Sequence, residues 1–484
     1  MPTSPAKRRA ILFLICASSF MNSFMTNSVN LAIPAMSAEF SMTATDAGWV
    51  VSAFLLAMAA LCVPFGRISD LTNRRVVYLA GLAAFAVTSL ATVFAWSAAV
   101  LLACRVLSGV SAALVFSSNT PILLAAYPRE QMGRALGYMV TGVYLGLASG
   151  PVFGGLLTGA LGWTSIFILC AVCEAAFFLL ALVVVPRHNQ EQAPGPDASA
   201  NVHGLGRFDP LGSLLLVVGI ALLMIAFSTF TQAWYCKLLL VVALLILVAF
   251  VLVELHSQSP VLKIDLFLHN KNYACSNFAT LLNYGATFGL TYLMSNYLQV
   301  VQGFPTSLAG LILIAQPICM ALVSPFVGHL TERRSPYLLA TAGMVICALS
   351  ILLFCFIGET TPLWLLIVGL VLMGFGVGVF ASPNNAAVLS NVAPADNGVA
   401  SSTLNSMRAV GQSASLAIIT LVSSLALGQE SFASASPAQL VGATRISFII
   451  FGALSVCTII LSMQRRSTPA TPTGTPPGGG KGAK

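Results

Sequence analysis

Long runs of apolar residues, separated by short polar or Pro/Gly-rich stretches, follow one another along almost the whole chain. A helix needs about 20 apolar residues to cross the hydrocarbon core of a bilayer. The runs therefore predict an all-α membrane protein with fourteen membrane-spanning helices. The predicted spans are 11–35, 47–66, 76–96, 99–126, 136–160, 163–185, 210–231, 234–254, 272–300, 306–329, 336–357, 363–389, 399–427 and 442–464.

Composition excludes a soluble protein. Of the 484 residues, 57% are hydrophobic and 7% are charged, whereas about 25% of the residues in an ordinary soluble domain are charged. A soluble protein this apolar would lack the polar groups that cover a surface in water. The expected surroundings of the chain are the lipid bilayer, in a multi-pass arrangement within the cell (inner or plasma) membrane.

The net charge of +8 does not indicate a nucleic-acid partner, because the Lys and Arg residues lie singly or in pairs between apolar runs. A nucleic-acid-binding protein would gather them on one phosphate-binding face. Most of the 22 Lys and Arg residues instead fall in alternate connecting segments, which share one side of the membrane. The positive-inside rule therefore predicts that both termini are cytoplasmic.

Weak internal similarity divides the spans into two halves. Gly66 and Asp70 recur in the same spacing as Gly328 and Glu332, and Pro-containing polar segments of spans 4 and 12 repeat at nearly the same offset. Internal repeats are typical of transporters. The repeat predicts two six-helix bundles in parallel repeat, with two inserted central helices whose Leu, Val and Ile side chains face lipid. The predicted divisions are 1–10 (cytoplasmic N-terminus), 11–186 (first bundle), 187–209 (cytoplasmic loop), 210–255 (inserted helices), 256–271 (cytoplasmic loop), 272–464 (second bundle) and 465–484 (disordered cytoplasmic tail).

Five motifs lie in order on these spans: NLAIP at 30–34, GRISDLTNRR at 66–75, RVLSGV at 105–110, a glycine series ending in GPVFGG at 142–155, and an Asn-x-x-Arg-x-x-Gly pattern at 405–411. With this ordered set, the chain resembles the major facilitator superfamily, specifically its fourteen-helix drug:proton antiporter branch. The resemblance covers nearly the whole chain. It implies a secondary active transporter that exports amphipathic or lipophilic small molecules by alternating access, with protons as the coupling ion.

The loop between spans 2 and 3 places Asp70 between basic residues. Its carboxylate can therefore pair with a neighbouring helix end in one conformation and release it in another. The resemblance implies a cytoplasmic gate formed by Gly66, Asp70 and Arg74. Leu71 and Asn73 depart from the family pattern, in which a basic residue and a glycine are usual.

Span 5 carries glycines four residues apart. Such glycines line one helix face and let another backbone approach closely, and a proline among them frees a carbonyl and kinks the helix. The combination predicts a conformational hinge that suits a half rocking against its partner. The hinge residues are Gly146, Gly150, Pro151, Gly154 and Gly155.

Three charged residues, Arg105, Glu174 and Arg408, lie well inside predicted spans, where a charge costs about 2.5–3.5 kcal/mol on insertion scales. Arg105 belongs to the intramembrane arginine motif, and Glu174 is the only carboxylate near the middle of a span; both are candidates for coupling transport to protons. For Glu174, a role in proton coupling and a structural role fit the sequence equally well. For Arg408, a role in transport and a structural role also fit equally well. Met25 stands where the family usually has an aspartate, so proton coupling by the family's usual route is in question.

Polar and aromatic residues in several spans predict an amphipathic cavity with little formal charge, which favours neutral or weakly cationic lipophilic substrates. Any one of these side chains could instead bond helix to helix. The cavity candidates are Asn22, Thr26, Asn27, Asn30, Asn119, Asn283, Tyr284, Asn296, Gln316, Asn384 and Arg408.

Other protein classes fit the sequence less well. The predicted spans hold no catalytic pair and no metal-ligand cluster, so we expect no enzyme, no cofactor and no metal. The eleven cysteines lie almost entirely in apolar runs, as buried thiols do, and predict no disulfide framework. The nearest alternative is a transporter of the same fold that is dedicated to one metabolite, lipid or peptide and is not necessarily driven by protons. We expect the protein to be a monomer.

Overall fold

The computed structural model describes residues 5–42, 44–128, 131–186, 209–229, 234–257, 260–262, 264–393, 396–427 and 437–465, and the regular structure of these residues is entirely helical. A π-helical segment, Tyr297–Val301, follows α11. The α-helices are α1 (Pro5–Phe40), α2 (Ala44–Leu71), α3 (Arg74–Val93), α4 (Ala98–Ala126), α5 (Met132–Leu161), α6 (Thr164–Val184), α7 (Pro210–Thr229), α8 (Trp234–His256), α9 (Ile264–His269), α10 (Lys271–Thr287), α11 (Gly289–Asn296), α12 (Thr306–Leu313), α13 (Ala315–Thr331), α14 (Pro336–Phe354), α15 (Leu363–Leu389), α16 (Asn397–Leu427) and α17 (Pro437–Met463).

The prediction of an α-helical membrane protein is confirmed. Among the described residues, ten helical stretches are long and apolar enough to cross a membrane, and the bent helix α5 makes eleven. α5 bends by 43° between Met132–Gly150 and Val152–Leu161, at a proline that cannot donate a helical hydrogen bond. Most of the predicted loop 187–209 and of the predicted tail 465–484 lies outside the described residues.

The helices pack as two groups and an inserted pair. In the first helix group, α1–α6, α1 lies along α5, while α4 contacts both α2 and α3. In the second helix group, α10–α17, α15 packs between α13 and α14, and α10 packs against α16 and α17. The groups meet where α5 contacts α13 and where α2 contacts α16.

The insert, α7–α8, is a helix pair that contacts α2 and α16 through α7. The apolar side chains of α8 are largely exposed on the surface of the protein, since only 17% of the apolar stretch within Lys237–His256 is buried. Two carboxylates organise the ends of the pair. Asp209 accepts a hydrogen bond from the Gly212 backbone N–H at 2.9 Å and so caps α7, while Glu254 at the end of α8 accepts one from Val261 N–H at 3.1 Å.

Two of the predicted spans are interrupted in the structure. Span 272–300 breaks at Phe288, because the Gly289 N–H donates to the Ser415 hydroxyl of α16 at 2.9 Å. Span 306–329 breaks after Leu313, the residue four before Pro317, whose ring clashes with that carbonyl in a regular helix. Neither break was predicted, since the first depends on a side chain from a distant helix.

Candidate functional site

The end of α2 meets the start of α16 at the end of the molecule that carries Arg67, Arg74, Arg75, Arg134, Arg333 and Arg334, called here the arginine-rich end. Gly66 lies so close to α16 that a Cβ atom there would stand 2.6 Å from Ser402 Cβ and 2.8 Å from the Gly398 carbonyl oxygen. A larger residue would force the two helices apart. The glycine predicted for the gate is thus a contact point between the two helix groups.

Asp70 completes this contact, which we call the latch (Gly66, Asp70, Arg74, Gly398 and Val399). Its Oδ2 accepts a hydrogen bond from the Val399 backbone N–H at 2.9 Å, and its Oδ1 pairs with Arg74 Nη2 at 2.9 Å. The side chains of Asp70 and Arg74 are 4% and 8% exposed. The carboxylate thus sits at the first turn of α16, where the helix dipole favours a negative charge.

A second contact of the same kind joins the groups on the other side. Glu332, at the end of α13, accepts a hydrogen bond from the Arg134 backbone N–H at 3.2 Å, at the start of α5. Gly328 approaches so closely that a Cβ atom there would lie 2.7 Å from the Gly133 carbonyl oxygen. His329 Nδ1 lies 2.8 Å from Arg134 Nη2 and 3.1 Å from Glu332 Oε2, and its tautomer decides whether it accepts from the arginine or donates to the carboxylate. The internal repeat identified Gly328 and Glu332 but not their partners.

The glycines of α5 form a seam against α1. A Cβ atom would stand 2.9 Å from Ser23 Cβ at Gly146, 2.7 Å from Asn27 Cβ at Gly150 and 2.6 Å from Ser28 Cβ at Gly154. Asn27 also donates a hydrogen bond to the Leu147 carbonyl at 2.9 Å. The series therefore does pack a neighbouring backbone closely.

The seam lies inside the first helix group, because α1 and α5 both belong to it. The sequence alone did not say which helix faces the series, and the hinge role of these residues stays a prediction. Gly155 is half-buried beside the seam. The side chain of Pro151 lies outside the described residues, although the bend of α5 falls at its position.

Arg105 is fully buried between α2, α1 and α6. Its Nε donates to the Val50 carbonyl at 3.0 Å, and its Nη1 lies 3.8 Å from the Met25 sulfur. The guanidinium carbon is 4.8 Å from the ring centroid of Phe54 and 5.9 Å from that of Phe167. Within the described part of the chain no acid pairs with it. A carbonyl, a thioether and two aromatic faces thus take the place of a counter-ion.

Glu174 is 2% exposed on α6, and its Oε2 has no hydrogen-bond partner among the described residues. It lies near Tyr78 of α3, whose hydroxyl bonds Ser18 of α1 at 3.0 Å. The two predicted coupling residues, Arg105 on α4 and Glu174 on α6, form no ion pair with each other in the described structure. Burying a carboxyl group whose hydrogen bonds are incomplete costs free energy, whether the group is protonated or charged. Favourable contacts with its neighbours must offset that free energy.

A narrow cavity of about 20 Å³ lies between the two helix groups, room for roughly one water molecule. This cavity is therefore too small to hold a small-molecule substrate in this conformation. Of the predicted cavity residues, Asn119 and Arg408 line it. The complete lining is Ser19, Phe116, Asn119, Thr120, Met139, Val140, Val143, Asn385, Leu389, Ser401, Leu404, Asn405 and Arg408.

The other predicted cavity residues lie elsewhere. Tyr284 is adjacent, with its ring centroid 5.1 Å from the Arg408 guanidinium carbon. Asn384 is fully engaged beside α10, donating to Thr280 at 2.8 Å and accepting from Arg465 at 2.7 Å. The remaining candidates do not line the cavity. Some form hydrogen bonds within or between helices, and others are exposed or are buried elsewhere. They are Asn22, Thr26, Asn27, Asn30, Asn283, Asn296 and Gln316.

The family model described as Major Facilitator Superfamily matches residues 15–264 and 277–483. The cephamycin export protein CmcT of Amycolatopsis lactamdurans is 30% identical over 475 residues, covering 95% of this chain and 93% of that protein. The multidrug resistance protein Stp of Mycobacterium tuberculosis (strain ATCC 25618 / H37Rv) is 30% identical over 396 residues, 81% of this chain and 71% of that protein. The riboflavin transporter RibZ of Clostridioides difficile (strain 630) is 27% identical over 399 residues, 82% and 84% respectively.

Among solved structures, the human organic anion transporter MFSD10 (TETRAN) superposes with a TM-score of 0.65 and 17% sequence identity, covering 94% of this chain and 99% of that one. At this identity the likeness concerns the fold alone.

Proposed function

We propose that this chain, which belongs to the major facilitator superfamily, exports amphipathic small molecules by alternating access. The observation that carries the proposal is the pair of contacts at the arginine-rich end. There, Asp70 binds the start of α16 and Glu332 binds the start of α5. Each is a carboxylate at a helix N-terminus on the opposite group, a contact that can break and re-form as a unit.

In this proposal the chain crosses the membrane fourteen times, as two six-helix halves and an inserted pair, with both termini and the arginine-rich end on the cytoplasmic side. The closed latch then corresponds to the state in which the cytoplasmic entrance is shut. Opening of the latch admits substrate from the cytoplasm or the inner leaflet, and closing commits it outward. The protein works as a monomer, since each chain contains both halves.

The relatives named for cephamycin export and multidrug resistance support export of foreign or toxic compounds. A direct test is expression in a host lacking its own efflux pumps. We expect lower accumulation of lipophilic dyes than in cells carrying an empty vector, and loss of that difference when an uncoupler dissipates the proton gradient. Unchanged accumulation across a broad dye panel would overturn multidrug export.

Protons enter the proposal through Glu174, because Met25 cannot carry one and Glu174 is buried on α6, which packs against α1 and α3. Glu174→Gln keeps the shape of the side chain and removes its proton. We expect substrate-driven proton flux in proteoliposomes to fall to the level of protein-free vesicles, while substrate exchange without a gradient persists. Fluorescence of a trapped pH dye measures the flux.

The matched control for this prediction is Glu359→Gln, which removes a carboxyl group from an exposed loop position. It should leave proton flux at the wild-type level. If Glu174→Gln also retained wild-type flux, Glu174 would be a structural residue and coupling would reside elsewhere.

The second candidate function is a transporter dedicated to one compound, and the riboflavin transporter among the relatives is the observation that favours it. Such a protein would move a single metabolite with saturable kinetics and ignore the dye panel. Competition experiments separate the two, since structurally unrelated dyes compete with one another only in a multidrug exporter.

A further inference from the structure

Arg408 is the charge at the centre of the interface between the two helix groups. It lies midway along α16 and lines the cavity, where its guanidinium stacks over the Tyr284 ring at 5.1 Å. Its Nε is buried and has no hydrogen-bond partner among the described residues. A guanidinium held by an aromatic face presents its N–H groups to whatever enters beside it.

The cavity offers this cation no counter-ion. Of the residues that line it, Arg408 alone is charged, and the polar ones are amides and hydroxyls such as Asn119, Asn405 and Ser401. An unpaired charge in a low-dielectric site is costly. A ligand that brought a negative charge would recover that cost and gain charge-assisted hydrogen bonds.

Further groups complete an anion site. The Tyr144 hydroxyl of α5 is buried close to Tyr284 and Arg408. It supplies an O–H donor from the opposite helix group. Around these polar groups Phe116, Met139 and Val143 provide an apolar wall, which suits the body of an amphipathic molecule.

We propose that the exported molecule is an organic anion, a carboxylate or sulfonate on an aromatic or otherwise apolar body, and that Arg408 binds its anionic group. The inference rests on the proposed export function and narrows it, replacing the neutral or weakly cationic substrates expected from the sequence. Because Arg408 and Tyr144 belong to different helix groups, an anion bound by both would link the two groups across the cavity.

The test uses three probes with one aromatic body: pyrenebutyrate (anionic), pyrenebutanol (neutral) and pyrenebutylammonium (cationic). Efflux from preloaded cells of an efflux-deficient host is measured for wild type, Arg408→Gln and Arg408→Lys. The control Arg333→Gln removes a charge from an exposed site. We expect wild type to export the anion fastest, Arg408→Gln to slow anion efflux about 10- to 100-fold, and Arg408→Lys to restore part of it.

The outcomes separate the inference from the function on which it rests. If wild type moves none of the three probes, the export proposal falls, and the inference with it. If it moves the neutral or cationic probe but not the anion, export stands and the inference is overturned. Equal loss of all three probes in Arg408→Gln, or unchanged anion efflux, also overturns the binding role of Arg408.

Discussion

Asp70→Asn should slow dye efflux at least about tenfold while leaving the protein folded and in the membrane. Asparagine keeps the size of the side chain and can still accept the Val399 N–H. It loses the charge that pairs with Arg74 and that interacts with the first turn of α16. Charge-assisted hydrogen bonds contribute about 1.5–3 kcal/mol, so the closed latch becomes roughly 10- to 100-fold less populated relative to the open one. Since every transport cycle must close this end, turnover falls.

Initial efflux rates at matched membrane expression measure this effect. The control is Asp265→Asn, which removes a carboxylate whose side chain is 84% exposed and which pairs with His269 on α9 away from the latch. That variant should transport like wild type. Wild-type efflux by Asp70→Asn would show that the latch contact is a static packing feature and not part of the cycle.

Gly146→Val should abolish transport and lower thermal stability in detergent. Its Cβ would fall 2.9 Å from Ser23 Cβ and closer still to the Phe20 carbonyl oxygen, both on α1. Neither neighbour can yield without moving the backbone, because the contact is with the helix itself. Overpacking of this kind costs about 1–3 kcal/mol or more, and here it also separates α1 from α5, which carries the Gly133 contact to α13.

Gly159→Val provides the matched control on the same helix. A Cβ atom at Gly159 meets nothing within 4 Å, so the same substitution should leave melting temperature and efflux nearly unchanged. Fluorescence-detected size exclusion after heating compares the two variants. Equal melting temperatures for Gly146→Val and wild type would mean that the α1–α5 seam can open without cost, contrary to the packing described.

Much of the fold could be predicted from local sequence because each membrane-spanning helix is a continuous run of mostly apolar residues. One side of the latch could be predicted as well, because Gly66, Asp70 and Arg74 lie within one short motif. Their partner Val399 is 329 residues away from Asp70, and nothing local to either segment indicates which helix start accepts the carboxylate. For the second contact, the internal repeat identified Gly328 and Glu332 but did not indicate that they pack against the start of α5.

The cavity was harder to predict because the direction of a side chain depends on how its helix is rotated. Successive residues of a helix point about 100° apart, so adjacent asparagines have different fates. Asn384 and Asn385 were both expected at the cavity; Asn384 is bound to Thr280 and Arg465, whereas Asn385 lines the cavity. The sequence shows that a span contains a polar residue, but tertiary packing decides whether its side chain points toward the cavity or toward another helix.

The direction of the glycine series shows the same limit. Spacing alone predicted a close helix contact on α5, and the contact exists. The choice of α1 as the partner, within one helix group rather than between two, follows from Ser23, Asn27 and Ser28 lying at matching heights on α1. The glycines at four-residue steps on α5, together with small and polar residues on α1, could have indicated this pairing.

Distances between the two helix groups at the arginine-rich end test the alternating-access account most directly. Nitroxide labels at Thr72→Cys, between α2 and α3, and Arg333→Cys, after α13, both occupy exposed positions in a variant whose native cysteines are replaced. Pulsed dipolar spectroscopy in nanodiscs should give two distance populations, with substrate and Asp70→Asn both shifting weight to the longer one. A single distance distribution, unchanged by substrate and by Asp70→Asn, would contradict the account.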